Sequence, residues 1–161
     1  MSEKMNPGFI TASLQGIQNW ARSHSLWYYS VTGGCCADEM FSAQACKYDL
    51  ERFGSLPQMH PEQADLLIVS TVVTEKLAPE IKKIYDAMPN PKYVLALGAC
   101  ACSGGAFSSQ VSYAVKSNLE AVVPVDVFVP GCPPRPEAMM NGLILLQEKI
   151  RGSESTRSKI G

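Results

Sequence analysis

No run of about 18 apolar residues, the length needed to cross a bilayer, occurs in the sequence. No apolar segment with a small-residue cleavage site follows the first residues, so the expectation is a chain without a secretory signal that works in or facing the cytoplasm. Charge is scarce: charged residues make up 18% and the formal net charge is −1. With no basic run either, nucleic acid drops out as a partner. There is no G-x-G-x-x-G phosphate cradle, no Ser/His/Asp arrangement, no internal repeat and no second domain. Histidine is down to His24 and His60, both read as surface residues. What remains is a chain of 161 residues, 46% hydrophobic, which is one domain's worth and long enough for a core.

Apolar spacing then divides the chain. From Phe9 to Ser23, Ile10, Leu14, Ile17 and Trp20 recur at helical intervals, giving an amphipathic helix over an N-terminal extension of 1–24. That helix packs on its own domain, on a neighbouring subunit or at a membrane surface. A domain over 25–150 follows. Ser25–Thr32 suits a strand, and Gly33-Gly34-Cys35-Cys36 a loop before a helix over Ala37–Cys46. Ala64–Thr71 is a near-continuous apolar run of the kind found in buried parallel strands. A helix over Leu77–Met88 ends at Pro89, and strands are expected over Tyr93–Leu97 and Val125–Val129. Pro136–Ile150 reads as a closing helix, and 151–161 as a polar, disordered tail. Strands alternating with helices predict an α/β, doubly wound, mostly parallel sheet.

Six cysteines in a reducing compartment call for something other than disulfides. Three cysteine-bearing segments follow strands: GGCC, GACACSGG and PGCPPRP. Ligands of open α/β sheets bind beyond the carboxyl ends of strands, so these loops converge there. Cys35, Cys36, Cys100 and Cys132 thereby form a four-thiol set, the usual requirement of a 4Fe–4S cluster. A Cys₄ zinc site stays open on spacing alone, although the paired C-x₂₋₄-C of zinc knuckles is absent. Cys46 reads as a small hydrophobe within its helix. Cys102, the second cysteine of a C-x-C, either substitutes for Cys100 or sits beside the cluster.

The segments SLWYYSVTGGCCADEM, KYDLERFGS, ADLLIVSTVVTEKLAPEIKKIYDAMPNPKYVLALGAC, SGG and VPVDVFVPGCPPRPEA, in that order, resemble the small iron–sulfur subunit of complex I-type NADH:quinone oxidoreductases. The energy-converting nickel–iron hydrogenases carry a related subunit. The likeness runs from about Ser25 to Ile150. Hydrogenase-type subunits have a C-x-x-C in the first motif, whereas adjacent Cys35-Cys36 is similar to the quinone-reducing branch. Cys102, Cys46 and Lys47 depart from the family pattern.

The resemblance implies a flavodoxin-like fold and one 4Fe–4S cluster on Cys35, Cys36, Cys100 and Cys132. It implies electron transfer from an iron–sulfur chain to a quinone-like acceptor, with no catalytic residue in this chain itself. The implied partners are a larger, hydrogenase-like subunit sharing the quinone cleft, a ferredoxin-like iron–sulfur subunit and a membrane subunit. The setting is the cytoplasmic side of a bacterial or archaeal membrane. Glu39, Met40 and Phe41 are expected on the cleft wall. Arg52 stands either near the cluster, where its charge favours the reduced state, or in a surface ion pair. A hydrogenase small subunit is the runner-up reading.

Overall fold

The computed structural model describes residues 14–108, 110–116 and 118–152. The expected start of the first helix and almost all of the polar tail lie outside these residues. Helix α1 (Leu14–Ser23) leads into β1 (Leu26–Thr32), α2 (Cys35–Gln44) and β2 (Ser55–Pro57). Then come β3 (Leu66–Ser70), α3 (Ala78–Ala87), β4 (Tyr93–Leu97), the short α4 (Ala99–Ser103), β5 (Val127–Val129) and α5 (Pro136–Arg151). All four strand pairings are parallel, in the order β2-β1-β3-β4-β5. This is the flavodoxin-like order, with its switch point between β1 and β3.

Helices cover both faces, as a parallel sheet requires. On one face Met40 and Ala43 of α2 and Met139, Leu143, Leu146 and Ile150 of α5 pack on Leu26, Tyr28, Leu66, Ile68, Leu95 and Leu97. On the other, Ala78 and Ile81 of α3 and Ala101 of α4 pack on Leu67, Val69, Val94 and Ala96. Every residue of β3 is buried, which is why Leu66–Ser70 reads as an unbroken apolar run rather than an alternating one. Edge strand β5 is tied to β4 through Asp126. Its N–H donates to the Val94 carbonyl at 2.8 Å and its carboxylate accepts from Val94 N–H at 3.0 Å.

Several boundaries differ from the sequence-based expectation. α2 begins at Cys35, so the adjacent cysteines occupy its first turn rather than a preceding loop. It ends at Gln44, with Ala45 extended, which leaves Cys46 outside the helix and exposed rather than buried within it. β2 and α4 are additional elements, and α5 runs one residue further, to Arg151. Ile17 and Trp20 turn outward, 50% and 61% exposed, while α1 rests on α5. Buried Ser23 joins the two helices, its hydroxyl accepting from Arg151 Nε at 3.1 Å.

Candidate iron–sulfur site

Three strand ends build the site. After β1, Gly33 N–H donates to the Ser70 carbonyl at 3.3 Å, which holds the Gly33-Gly34 turn against β3 and starts α2 at Cys35. After β4, Gly98 takes a positive φ of 89° and α4 carries Cys100. After β5, Gly131 at φ 149° turns the chain into Cys132. The last two loops are laced together: Gly98 N–H donates to the Val129 carbonyl and Ala99 N–H to the Gly131 carbonyl, each at 2.8 Å.

Both glycines are demanded by close approach as well as by φ. A Cβ on Gly98 would lie 2.6 Å from Cys36 Sγ, and one on Gly131 would lie 2.5 Å from Pro134 Cα. Cys36 is thus pressed onto the backbone of the β4 loop. It is buried, while Cys35 and Cys132 are exposed and Cys100 is half-buried. The four thiols also feel one another. Burial, then the charge and hydrogen bond of Cys35, then Cys100 and Cys132, push the Cys36 thiol up to about 12. Burial, Cys132 and Cys35 raise that of Cys100. Mutual repulsion of this kind is relieved by a cationic centre, which draws the protons off its ligands.

Among the described residues, no three His, Cys, Asp or Glu side chains are grouped tightly enough to hold one metal ion. Thiolates around a single zinc stand about 3.8 Å apart, as tetrahedral Zn–S bonds of about 2.3 Å require. A cubane of four irons and four sulfides is wider, and thiols surrounding it stand farther apart. Four cysteines brought to one edge of the sheet by the connections after β1, β4 and β5, with glycine where backbone crowds a sulfur, make the donor set that a 4Fe–4S cluster takes. One further polar atom lies here without a partner: Ser70 Oγ, buried at the carboxyl end of β3.

The family model described as NADH ubiquinone oxidoreductase, 20 Kd subunit, matches residues 34–146, a span that holds all four cysteines. The chain belongs to this family. An NADH-quinone oxidoreductase subunit of Geobacter metallireducens is 47% identical over 162 residues, covering 100% of this chain and 94% of the relative. An NADH-quinone oxidoreductase subunit of Rhizobium etli is 50% identical over 147 residues, covering 91% and 85%. Among solved structures, a chain of the membrane-bound sulfane sulfur reductase, an archaeal respiratory membrane complex, matches with a TM-score of 0.80. It is 42% identical, and the match covers 86% of this chain and 77% of that one.

Within this family fold, the expected cleft residues divide. Phe41 on α2 is 62% exposed and Glu39 half-buried, but Met40 is 1% exposed. Met40 departs from the expectation because its side of α2 faces the sheet, where Tyr28 and Leu50 share its cluster. Arg52 is exposed in the 3₁₀ turn Leu50–Phe53, its guanidinium 5.4 Å from the Phe53 ring centre. It takes part in none of the ion pairs found among the described residues. His24 and His60 are both exposed, the His24 ring lying against Trp20 at a 45° tilt with ring centres 4.9 Å apart. Cys102 turns its thiol onto the Ala96 and Val129 carbonyls, an arrangement that spacing alone does not reveal.

Proposed function

We propose that this chain binds one 4Fe–4S cluster through Cys35, Cys36, Cys100 and Cys132 and relays electrons from an upstream iron–sulfur chain to a quinone-like acceptor. Family membership makes the chain a subunit of a quinone-reducing oxidoreductase of the complex I type; the electron path is the part proposed. The observation that carries it is the convergence of four thiols from three strand ends, with Cys36 seated on Gly98.

A cluster held there supplies one-electron transfer between donor and acceptor. The protein's own part is to hold, orient and shield. The buried Cys36 fixes the inner side of the site, while the exposed Cys35 and Cys132 leave its outer side open towards neighbouring subunits. Phe41, exposed on the helix that starts at Cys35, offers an aromatic surface to a quinone ring, and Glu39 adds a half-buried carboxyl on another side of the same helix. Arg52, in none of the ion pairs found among the described residues, supplies positive charge on the same side of the sheet, since its 3₁₀ turn contacts α2. The larger subunit completes the cleft, a ferredoxin-like subunit delivers electrons, and a membrane subunit anchors the assembly at the cytoplasmic face. No helix among the described residues is long and apolar enough to cross a membrane itself.

The archaeal relative bears on the acceptor, because its name specifies sulfane sulfur rather than quinone. Adjacent Cys35-Cys36 favours quinone over protons, and the two NADH-quinone oxidoreductase relatives favour quinone over sulfane sulfur.

The test is low-temperature electron paramagnetic resonance of the dithionite-reduced complex, purified anaerobically with its partners. We expect a 4Fe–4S signal that disappears in Cys132→Ser and persists in Cys46→Ser. Stoichiometric zinc in place of iron in this subunit, or loss of the signal in Cys46→Ser but not in Cys132→Ser, would overturn the assignment. Quinone and polysulfide offered to the same preparation separate the two acceptors.

A further inference from the structure

We infer that Cys102 is a positioning residue, its thiol clamping the ends of β4 and β5 so that Cys100 is held in register with Cys132. The inference rests on the proposed reading of Cys100 and Cys132 as ligands, and it assigns one cysteine of the C-x-C to the site and the other to its support.

The geometry has three parts. First, α4 turns by about 100° per residue, so side chains two apart project from nearly opposite sides of it. Cys100 and Cys102 therefore cannot both face Cys36. Cys102 is the one turned away, since its thiol meets the Ala96 and Val129 carbonyls, which leaves the opposite side of α4 to Cys100. Second, Cys102 Sγ stands 3.6 Å from the Ala96 carbonyl and 3.8 Å from the Val129 carbonyl, both within reach of an S–H donor. Ala96 lies in β4, four residues before Cys100, and Val129 in β5, three residues before Cys132. Third, Val129's carbonyl is shared: it also accepts from Gly98 N–H at 2.8 Å. The Cys102 backbone closes the loop by donating to the Gly98 carbonyl at 3.1 Å.

One residue thus touches the β4 strand, the β4 loop and the β5 strand. The thiol is half-buried and packs with the core on the α3 face, away from the site. A thiol is a weak donor, so the expected effect of losing it is on the precision and persistence of the site rather than on whether it forms.

The experiment uses the intact complex and follows the paramagnetic signal that Cys132→Ser removes. Wild type, Cys102→Ala, Cys102→Ser and Cys100→Ser are compared for signal intensity and linewidth, and for the rate at which a ferrous chelator, bathophenanthroline disulfonate, bleaches the signal. We expect Cys102→Ala to keep the signal, broaden it and lose it to chelator roughly fivefold faster, the order of one hydrogen bond. Cys102→Ser retains a donor and restores both linewidth and rate, while Cys100→Ser has no signal. Disappearance of the signal in Cys102→Ala as complete as in Cys132→Ser would make Cys102 a ligand and overturn the inference. Cys102→Ala matching wild type in linewidth and chelation rate, or Cys102→Ser failing to rescue, would leave Cys102 as packing volume and overturn it too. Absence of the signal from wild type sinks the cluster reading itself, a failure distinct from either.

Discussion

Cys36 Sγ rests against Gly98 so closely that a Cβ at position 98 would fall 2.6 Å from the sulfur. Two segments far apart in sequence meet here with no room for a side chain, and the contact lies where β1 and β4 deliver their loops. Gly98→Ala therefore strikes the site without removing a ligand. Its φ of 89° with ψ of 158°, a combination almost confined to glycine, adds strain of about 1 to 3 kcal/mol for any L side chain. We expect Gly98→Ala to lose most of the cluster signal although all four cysteines remain, measured as iron, sulfide and paramagnetic resonance intensity. A full signal in that variant would show that Cys36 has freedom to move aside.

Phe41 separates the role of the acceptor surface from that of the cluster cradle. Its ring is 62% exposed, so Phe41→Ala costs the fold little, within about 0.5 kcal/mol. Steady-state quinone reduction by the assembled complex should show a several-fold higher KM in Phe41→Ala, with the cluster signal unchanged. Met40→Ala, by contrast, opens a cavity beneath α2 and should destabilise the chain by about 2 to 5 kcal/mol. An unchanged KM in Phe41→Ala would remove the first turns of α2 from the cleft.

These two neighbours show where sequence is informative and where it is not. Strands β3 and β4 are legible because burial on both faces leaves unbroken apolar runs. The meeting of the cysteine-bearing loops is legible too, since a parallel sheet delivers every strand's carboxyl end to one edge. β2 is not, because Ser55-Leu56-Pro57 is an edge strand whose only bulky apolar residue is half exposed. The α2 boundaries are hidden at both ends. Gly33-Gly34 masks a helix that begins immediately at Cys35, and no glycine or proline marks its end before Cys46. Met40 and Phe41 look equally suited to a cleft in sequence; one helical step of about 100° sends one into the core and the other to solvent.

Ser70 offers a test of the polar accounting at the site. Its hydroxyl is buried at the end of β3 without a hydrogen-bond partner, a condition that costs on the order of 1 kcal/mol or more. Ser70→Ala should raise the stability of the chain by roughly 1 kcal/mol, read as a higher denaturant midpoint at unchanged slope. Destabilisation instead would mean that the hydroxyl is satisfied in the assembled protein.

Tyr28 gives the fold an alkaline limit. Its ring is 1% exposed, and Gln44 Nε2 donates to its hydroxyl at 2.7 Å. Burial pushes the phenol up to about 12, the Gln44 bond opposes this, and Glu51's charge adds to it. In the unfolded chain the same phenol ionises near 10, so between pH 10 and about 12 the unfolded state has released a proton that the folded state retains. Stability therefore falls as pH rises through that window, and the contribution is fully present below about pH 10. A gap of that width corresponds to about 2 to 3 kcal/mol lost by about pH 12. Tyr85 and Tyr93, also raised by burial, act in the same direction and keep their share. Tyr28→Phe should therefore flatten, without abolishing, the decline in denaturant midpoint followed by circular dichroism from about pH 9 to about pH 11.5. A decline identical to that of wild type would mean that the phenol ionises in the folded chain at its ordinary pH, and that the cluster around Tyr28 is more open to water than its packing with Met40 and Leu50 requires.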